Sequence, residues 1–439
     1  MASKKAKQGY KLVKNFFQKE IEIPQEWTYE KYGDIFQEIK DPVEFNDDEE
    51  YDLITVKRRN LGLVSRGILK GSDILTKNLF SVQEDDFLIA RMQIVHGACG
   101  LVPKSLSHAK ISGSYLRLKS TDKLNLKYLN LLSFTPFFYQ QTFVSSVGSN
   151  IEKMNLNQTH WFNHQFPLPP KKEKNKIVSI LNLVNDLVNK YDSIIETTTK
   201  IKIGLMQQLL TKGIGHKKFK KVKWYYGQEI EIPESSNVVT IGELLKKGII
   251  LEIQDGNHGE LHPKNDDFTE KGTPFITAKF VHKNNKIDYD ACNKLPLTFI
   301  KKLRIGFSEK NDLILVHKGD SIGKCAINTL EEICMLSPQT TYYRLSKKID
   351  LIFLLCIFQN PYFQKQLNSF GIQSTRKYVG IKGQQIFKII LPPIHEQQKI
   401  ASILFEVDKK IDDFKSRKTK LNSLKQGLMQ KLLTGQIRV

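Results

Sequence analysis

The chain has 439 residues, 40% of them hydrophobic, and a formal net charge of +21 from 67 Lys and Arg against 46 Asp and Glu. That length holds two or three domains with buried cores. The longest apolar run, Leu351 to Phe358, is far short of the roughly 20 residues that span a bilayer, which argues against a transmembrane helix. The positive surplus points to a polyanionic partner, nucleic acid first. Five scattered cysteines without a Cys-x-x-Cys pair point to reduced thiols and a cytoplasmic location.

Residues 1–19 are a basic N-terminal segment lacking the apolar core of a secretory signal. From 20 to 168 the chain reads as a mixed α+β domain. The runs Tyr51–Val56 and Asp86–Ala90 predict strands, and Lys127–Tyr139 and Gly148–His160 predict partly helical segments. Residues 169–214 open on Pro169-Pro170, which cannot continue a helix backwards, and place Glu173 in the first turn, where negative charge suits the helix dipole. Apolar residues then alternate at spacings of three and four: Ile177, Ile180, Val184, Leu187, Tyr191, Ile194, Ile201, Leu205. Such a seam predicts a coiled-coil helix, and about 40 residues give a rod of roughly 60 Å. Residues 215–228, rich in Lys and Gly, read as a linker. A second mixed domain follows over 229–391, with strands near Thr273–Thr277, Asp312–Val316 and Thr340–Leu345 and an apolar helix over Leu351–Leu367. Residues 392–437 are a second long helix whose seam includes Ile400, Ile403, Val407, Ile411, Phe414, Leu424 and Leu432.

These segments repeat. Adding 223 carries 169–214 onto 392–437 without a gap: Pro169 onto Pro392, Glu173 onto Glu396, Gly204-Leu205-Met206-Gln207 onto Gly427-Leu428-Met429-Gln430. Adding 209 carries Tyr10–Pro24 onto Phe219–Pro233, both ending Glu-Ile-Glu-Ile-Pro. A repeat settles architecture before any local reading. The expected fold is two similar α+β domains separated by two long helices that pair antiparallel, with pseudo-twofold internal symmetry. A scaffold stated twice with different faces suits paired recognition modules.

Chemistry-bearing motifs are sparse. Gly319-Asp320-Ser321-Ile322-Gly323-Lys324 fails the phosphate-loop template, with Lys318 where the first Gly belongs and Cys325 where Ser or Thr should stand. It reads as a tight turn whose Lys318, Ser321 and Lys324 can touch a DNA phosphate. Gln254-Asp255-Gly256-Asn257-His258 reads as a recognition loop, because Gln and Asn pair bidentately with adenine. Lys57, Arg58, Arg59 and Arg66 suit phosphate or guanine contacts, with His96 and Lys104 a similar set. Arg376 and Lys377 suit backbone contacts. No metal-ligand spacing, methyltransferase signature or nuclease cluster appears. The chain is therefore expected to be no enzyme, with neither a catalytic nor a metal site. Two other readings are a coiled-coil scaffold with protein-binding heads and a stand-alone DNA methyltransferase or nuclease.

Two divergent domains, each followed by Pro-Pro-x-x-Glu and a long helix ending Gly-Leu-Met-Gln-x-Leu-Leu-Thr, resemble the specificity (S) subunit of type I restriction–modification systems, the HsdS family. The second copy, Leu391 to Ile400, matches the family's helix-opening motif well; the first has Lys174 where the second has Gln397. Trp27 fits the family's domain-opening signature, whereas Ser236 departs from it. The resemblance implies that 20–168 and 229–391 are target recognition domains, each reading half of a bipartite, asymmetric site in double-stranded DNA. The helices would set the spacer and dock two methylation subunits, with two restriction subunits joining them. It also implies no cofactor in this chain: S-adenosylmethionine, ATP and magnesium would belong to the partners. No membrane partner is expected.

Overall fold

The computed structural model describes residues 6–15, 18–259, 261–282, 284–370 and 378–439. Contacts divide the chain into two units that do not follow chain order: Met1–Asp192 with Ser416–Val439, and Ser193–Lys415. Each unit therefore owns one domain, the start of the helix that follows it and the end of the other helix.

Each repeat opens with a hairpin. Strand Tyr10–Lys14 pairs antiparallel with Glu20–Pro24, and Phe219–Lys223 pairs with Glu229–Pro233; Tyr10 faces Pro24 as Phe219 faces Pro233. The second hairpin corrects the linker reading: residues 215–228 hold a whole strand. Strand Thr28–Lys31 then pairs with Gln165–Leu168, and Asn237–Thr240 with Lys388–Leu391. The register is the same, Thr28 facing Leu168 as Asn237 faces Leu391. The strand after each hairpin and the last strand of that domain are thus clamped together just before the Pro-Pro pair.

Between the clamps the two sequences differ but the topology does not. In the first domain one sheet has the order Gln37–Glu38, Tyr115–Lys119, Phe87–Ala90, Cys99–Leu101, and the other Leu63–Lys70, Glu50–Val56, Lys110–Ser112, Leu79–Ser81. In the second domain the orders are Ile250–Asp255, Thr340–Leu345, Leu313–Val316, Cys325–Ile327, and Asn293–Leu295, Thr273–Ile276, Cys334–Leu336, Phe307–Ser308. Both domains place one parallel pair at the same step, Lys110 beside Leu53 and Phe275 beside Met335. Phe87–Ala90 and Leu313–Val316 are buried throughout, as continuous apolar runs in a covered sheet should be.

An Arg–Asp ion pair ties the sheets at the same place in both. Arg117 Nε donates to Asp86 Oδ2 at 2.6 Å, and Nη1 reaches the Ser81 carbonyl of the other sheet at 2.8 Å. Arg344 donates to Asp312 at 2.9 and 3.0 Å and reaches the Phe307 carbonyl at 3.4 Å. Asp86 and Asp312 each also accept from a backbone N–H three residues earlier, at 2.7 Å.

The expected apolar helix over Leu351–Leu367 is two helices, Leu351–Gln359 and Pro361–Phe370, because Pro361 cannot continue the first. The long helices run over Lys171–Lys212 and Ile394–Leu433. Their buried faces keep part of the expected seams, Ile177, Val184, Ile400, Ile411 and Leu432, and depart from them elsewhere. In unit 1 the buried apolar positions are Ile177, Val178, Leu181, Val184, Val188, Met429, Leu432 and Leu433, whereas Leu187 stays 40% exposed. In unit 2 they are Met206, Leu209, Leu210, Ile400, Ala401, Leu404 and Ile411, whereas Ile201 and Ile403 stay exposed. The reason is that the helix ends pack into domain cores: Ile177 and Leu181 share a cluster with Trp161 and Phe166, and Leu404 with Phe353. In unit 1 the helices run antiparallel, with Lys418 paired to Asp192 and Lys425 Nζ donating to Asn185 at 2.8 Å. In unit 2 Lys202 pairs with Asp408 at 2.7 Å. The 223 shift carries Lys202 onto Lys425 and Asn185 onto Asp408.

The two helix-opening glutamates are buried and receive donors from the tail of the other helix. Glu173 accepts from Trp27 Nε1 at 2.8 Å and from Arg438 at 2.7 and 2.9 Å. Glu396 accepts from the Ile214 N–H at 3.0 Å and lies 2.7 Å from His216 Nε2. The departures noted in the second copy are substitutions of one donor for another: Ser236, with no indole, sits in the unit where His216 and Ile214 serve Glu396. Gly213 has φ +65°, and a Cβ there would lie 2.3 Å from Glu396 Oε1, so only glycine admits this closure. Lys174 and Gln397 reach equivalent helix caps by different bonds. Lys174 lies 3.7 Å from Asp122, and Gln397 Oε1 accepts the Asp350 N–H at 3.0 Å; Asp122 and Asp350 cap equivalent helices.

Candidate nucleic-acid interface

In unit 1 three loops converge on the basic residues. The loop after strand Glu50–Val56 carries Lys57, Arg58 and Arg59, with Arg59 and Asn60 at φ of 60° and 52°. The turn after Phe87–Ala90 carries His96. The two are stitched by backbone bonds: Arg59 N–H donates to His96 O at 2.6 Å, and Asn60 N–H to Gly97 O at 2.8 Å. The third element is the one-turn helix Ile151–Lys153. Its Glu152 accepts from Arg58 Nη2 at 2.6 Å and lies 3.1 Å from His96 Nε2. Arg58 Nε also donates to Gln93 Oε1 at 2.7 Å. The Arg58 hydrogen bond holds the Glu152 carboxyl below the usual carboxylate range. A cavity of about 520 Å³ lies alongside, lined by Arg58, Arg59, His96, Phe134 and Tyr139 among others. Lys57, on the same loop, and Arg66 and Lys104, on other stretches, are exposed and do not line it.

In unit 2 the adenine reading of Gln254 and Asn257 meets side chains engaged within the fold. Gln254 Oε1 accepts from the Gly306 N–H at 3.0 Å and from the Tyr342 hydroxyl at 3.3 Å. Asn257 is 3% exposed, and its Nδ2 donates to the Leu261 carbonyl at 3.0 Å. Asp255 accepts from the Thr341 hydroxyl at 2.6 Å and lies 3.5 Å from His317 Nε2. These residues shape the loop, while His258 remains exposed. Burial holds the His317 imidazole below its ordinary range. Lys318 lies over the Tyr378 ring at 5.6 Å, and Ser321 and Lys324 are half-buried in the turn. Lys324 borders a cavity of about 950 Å³ floored by Met206, Leu355 and Phe405. Arg376 and Lys377 lie outside the described residues. No group of three or more His, Cys, Asp or Glu among the described residues could hold a metal ion, and no helix of the described residues is long and apolar enough to cross a membrane.

Sequence reasoning missed Glu152, Gln93 and the paired Arg117–Asp86 and Arg344–Asp312. Only the last left a signal: Asp86-Phe87-Leu88-Ile89 and Asp312-Leu313-Ile314-Leu315 hold equivalent places with an Arg following at nearly equal distance.

A twice-stated scaffold with divergent basic loops is what a two-headed DNA reader requires. Residues 24–207 and 233–426 match the type I restriction modification DNA specificity domain, and the chain belongs to that family. It is 27% identical over 433 residues to the type I restriction enzyme MjaVIII specificity subunit of Methanocaldococcus jannaschii, covering 95% of each chain. It is 26% identical to the putative MjaX specificity subunit of the same organism, covering 97% of each. Among solved structures, its fold matches a chain from a study of assembly and conformational transition of the type I R-M system. That match has a TM-score of 0.57 and 14% identity, covering 94% of this chain and 99% of that one. The type I restriction-modification S subunit of M. genitalium matches with a TM-score of 0.55 and 15% identity, covering 92% and 96%.

Proposed function

We propose that the chain is the DNA-specificity subunit of a type I restriction–modification enzyme, and that each domain reads one half of a bipartite, asymmetric site. The observation that carries this is the identical topology and clamp register of two domains whose loops differ. One scaffold then positions two different reading surfaces, so the half-sites differ. Two modules in one chain also raise the effective concentration of the second contact once the first has formed. The chain supplies recognition and no chemistry; methylation subunits, two by the pseudo-symmetry, carry S-adenosylmethionine, and two restriction subunits use ATP and magnesium. It works in the cytoplasm.

The test is genome-wide mapping of N6-methyladenine in cells with and without the gene. Loss of one bipartite, non-palindromic motif is expected on deletion. Replacing residues 241–387, the part between the clamp strands, by the equivalent part of a relative should change one half of that motif and spare the other. Persistence of every motif, with the methylation subunits co-purifying and active, overturns the reading.

A further inference from the structure

Arg58, Gln93, His96 and Glu152 come from three separate loops and meet at one exposed point of unit 1. Arg58 is gripped twice, by Gln93 at 2.7 Å through Nε and by Glu152 at 2.6 Å through Nη2. These bonds engage two of the five guanidinium N–H donors. The side chains of Arg58 and Glu152 nevertheless stay 48% and 55% exposed. Glu152 is held in turn: the Asn150 side chain accepts from the N–H groups of Glu152 and Lys153 at 3.1 and 3.2 Å, and His96 faces its second oxygen. An exposed ion pair adds at most about 1 kcal/mol to stability. The Arg59 and Asn60 backbone bonds already stitch two of the three loops, so the fold has little need of this exposed pair.

The chemistry of the pair matches one base pair. Along the major-groove edge a G·C pair offers two acceptors, guanine N7 and O6, and then the cytosine N4 donor; an A·T pair offers acceptor, donor, acceptor. An arginine fork beside a carboxylate offers donor, donor, acceptor, which complements the first and clashes with the second. Resting on the reading of the first domain as a half-site reader, we propose that Arg58 and Glu152 together read one G·C pair. Arg58 donates to guanine N7 and O6, and Glu152 accepts from the cytosine N4 amino group. Gln93 and His96 are positioning residues. The second domain has Gly319 and Ile322 at the places of Gln93 and His96, so the device belongs to one half-site only.

The experiment uses the complex of the full chain with its methylation subunits. Duplexes carrying the mapped motif, each with one base pair changed, compete for the complex. Glu152→Gln should lower discrimination at one G·C position of the first half-site by roughly tenfold and leave every other position unchanged. Arg58→Lys, which keeps the charge and loses the fork, should flatten the same position. An unchanged profile in both variants overturns the proposal. So does uniform weakening on all duplexes, the mark of a phosphate anchor, or a change in the other half-site. If Glu152→Gln binds no duplex, the Arg58→Lys profile decides alone. An unvaried complex with no preference at all would instead sink the specificity reading itself.

Discussion

Glu173 is nearly buried and still ionised. Burial pushes its carboxyl up, but the hydrogen bonds from Arg438 and Trp27 outweigh this and hold it below 4.5. A carboxyl depressed by folding contributes stability above its unfolded pKa and loses it as the pH falls through the folded one. Glu173→Gln should therefore cost about 1–3 kcal/mol at pH 7 and blunt the acid limb below about pH 4.5, read by thermal melts across pH. On the proposed reading, charge at the basic loops of unit 1 is separable from specificity. Arg59 is exposed, and among the described residues no hydrogen bond or ion pair holds its side chain, so it suits a phosphate. Arg59→Gln should weaken binding to all duplexes alike and lower the slope of log K against log salt by about 0.9. Arg58 beside it looks equivalent in sequence, yet its partner Glu152 is 94 residues away. Nothing local announces that.

The paired Arg–Asp ties make an internal comparison at the scale of elements. The Arg117 side chain is 1% exposed and that of Arg344 26%. Removing one partner of a buried pair costs about 3–5 kcal/mol, and exposure reduces this. Arg117→Met should therefore loosen its domain more than Arg344→Met loosens the other, measured by hydrogen exchange in Phe87–Ala90 and Leu313–Val316. The helices offer a complementary gain of stability. Lys202 has Asp408, but among the described residues its counterpart Lys425 has only the Asn185 amide and the Phe134 ring, and burial holds its amine below the ordinary range. Asn185→Asp should supply the missing charge and stabilise unit 1 by about 0.5–1 kcal/mol, seen as a higher Tm. The helices themselves were legible, because Pro-Pro starts and three–four spacing are local signals. Which face is buried was not, because the domain cores, and not only the partner helix, claim Leu181 and Leu404.

At the scale of the molecule, each unit closes by borrowing the tail of the other helix: Arg438 returns to Glu173, and the segment after Lys212 returns to Glu396. Chain order and compact unit therefore disagree, and a boundary drawn along the sequence at 169 or 392 cuts through a core. The reading of 215–228 as a linker failed for a related reason. Its Lys and Gly content is that of flexible chain, but Phe219–Lys223 gains a partner strand in Glu229–Pro233.

What the sequence determined alone is what repetition and period encode: two copies, their order, the long helices, the central strands, the positive surplus and the resemblance those motifs carry. Tertiary structure decided which side chains remain available. Gln254 and Asn257 suit adenine by type, but Gly306, Tyr342 and Leu261 engage them; Glu152 suits nothing by position, but two other loops bring it Arg58 and His96. Periodicity is a property of neighbours along the chain. Hydrogen-bond partnership belongs to neighbours in space, and only the fold supplies those.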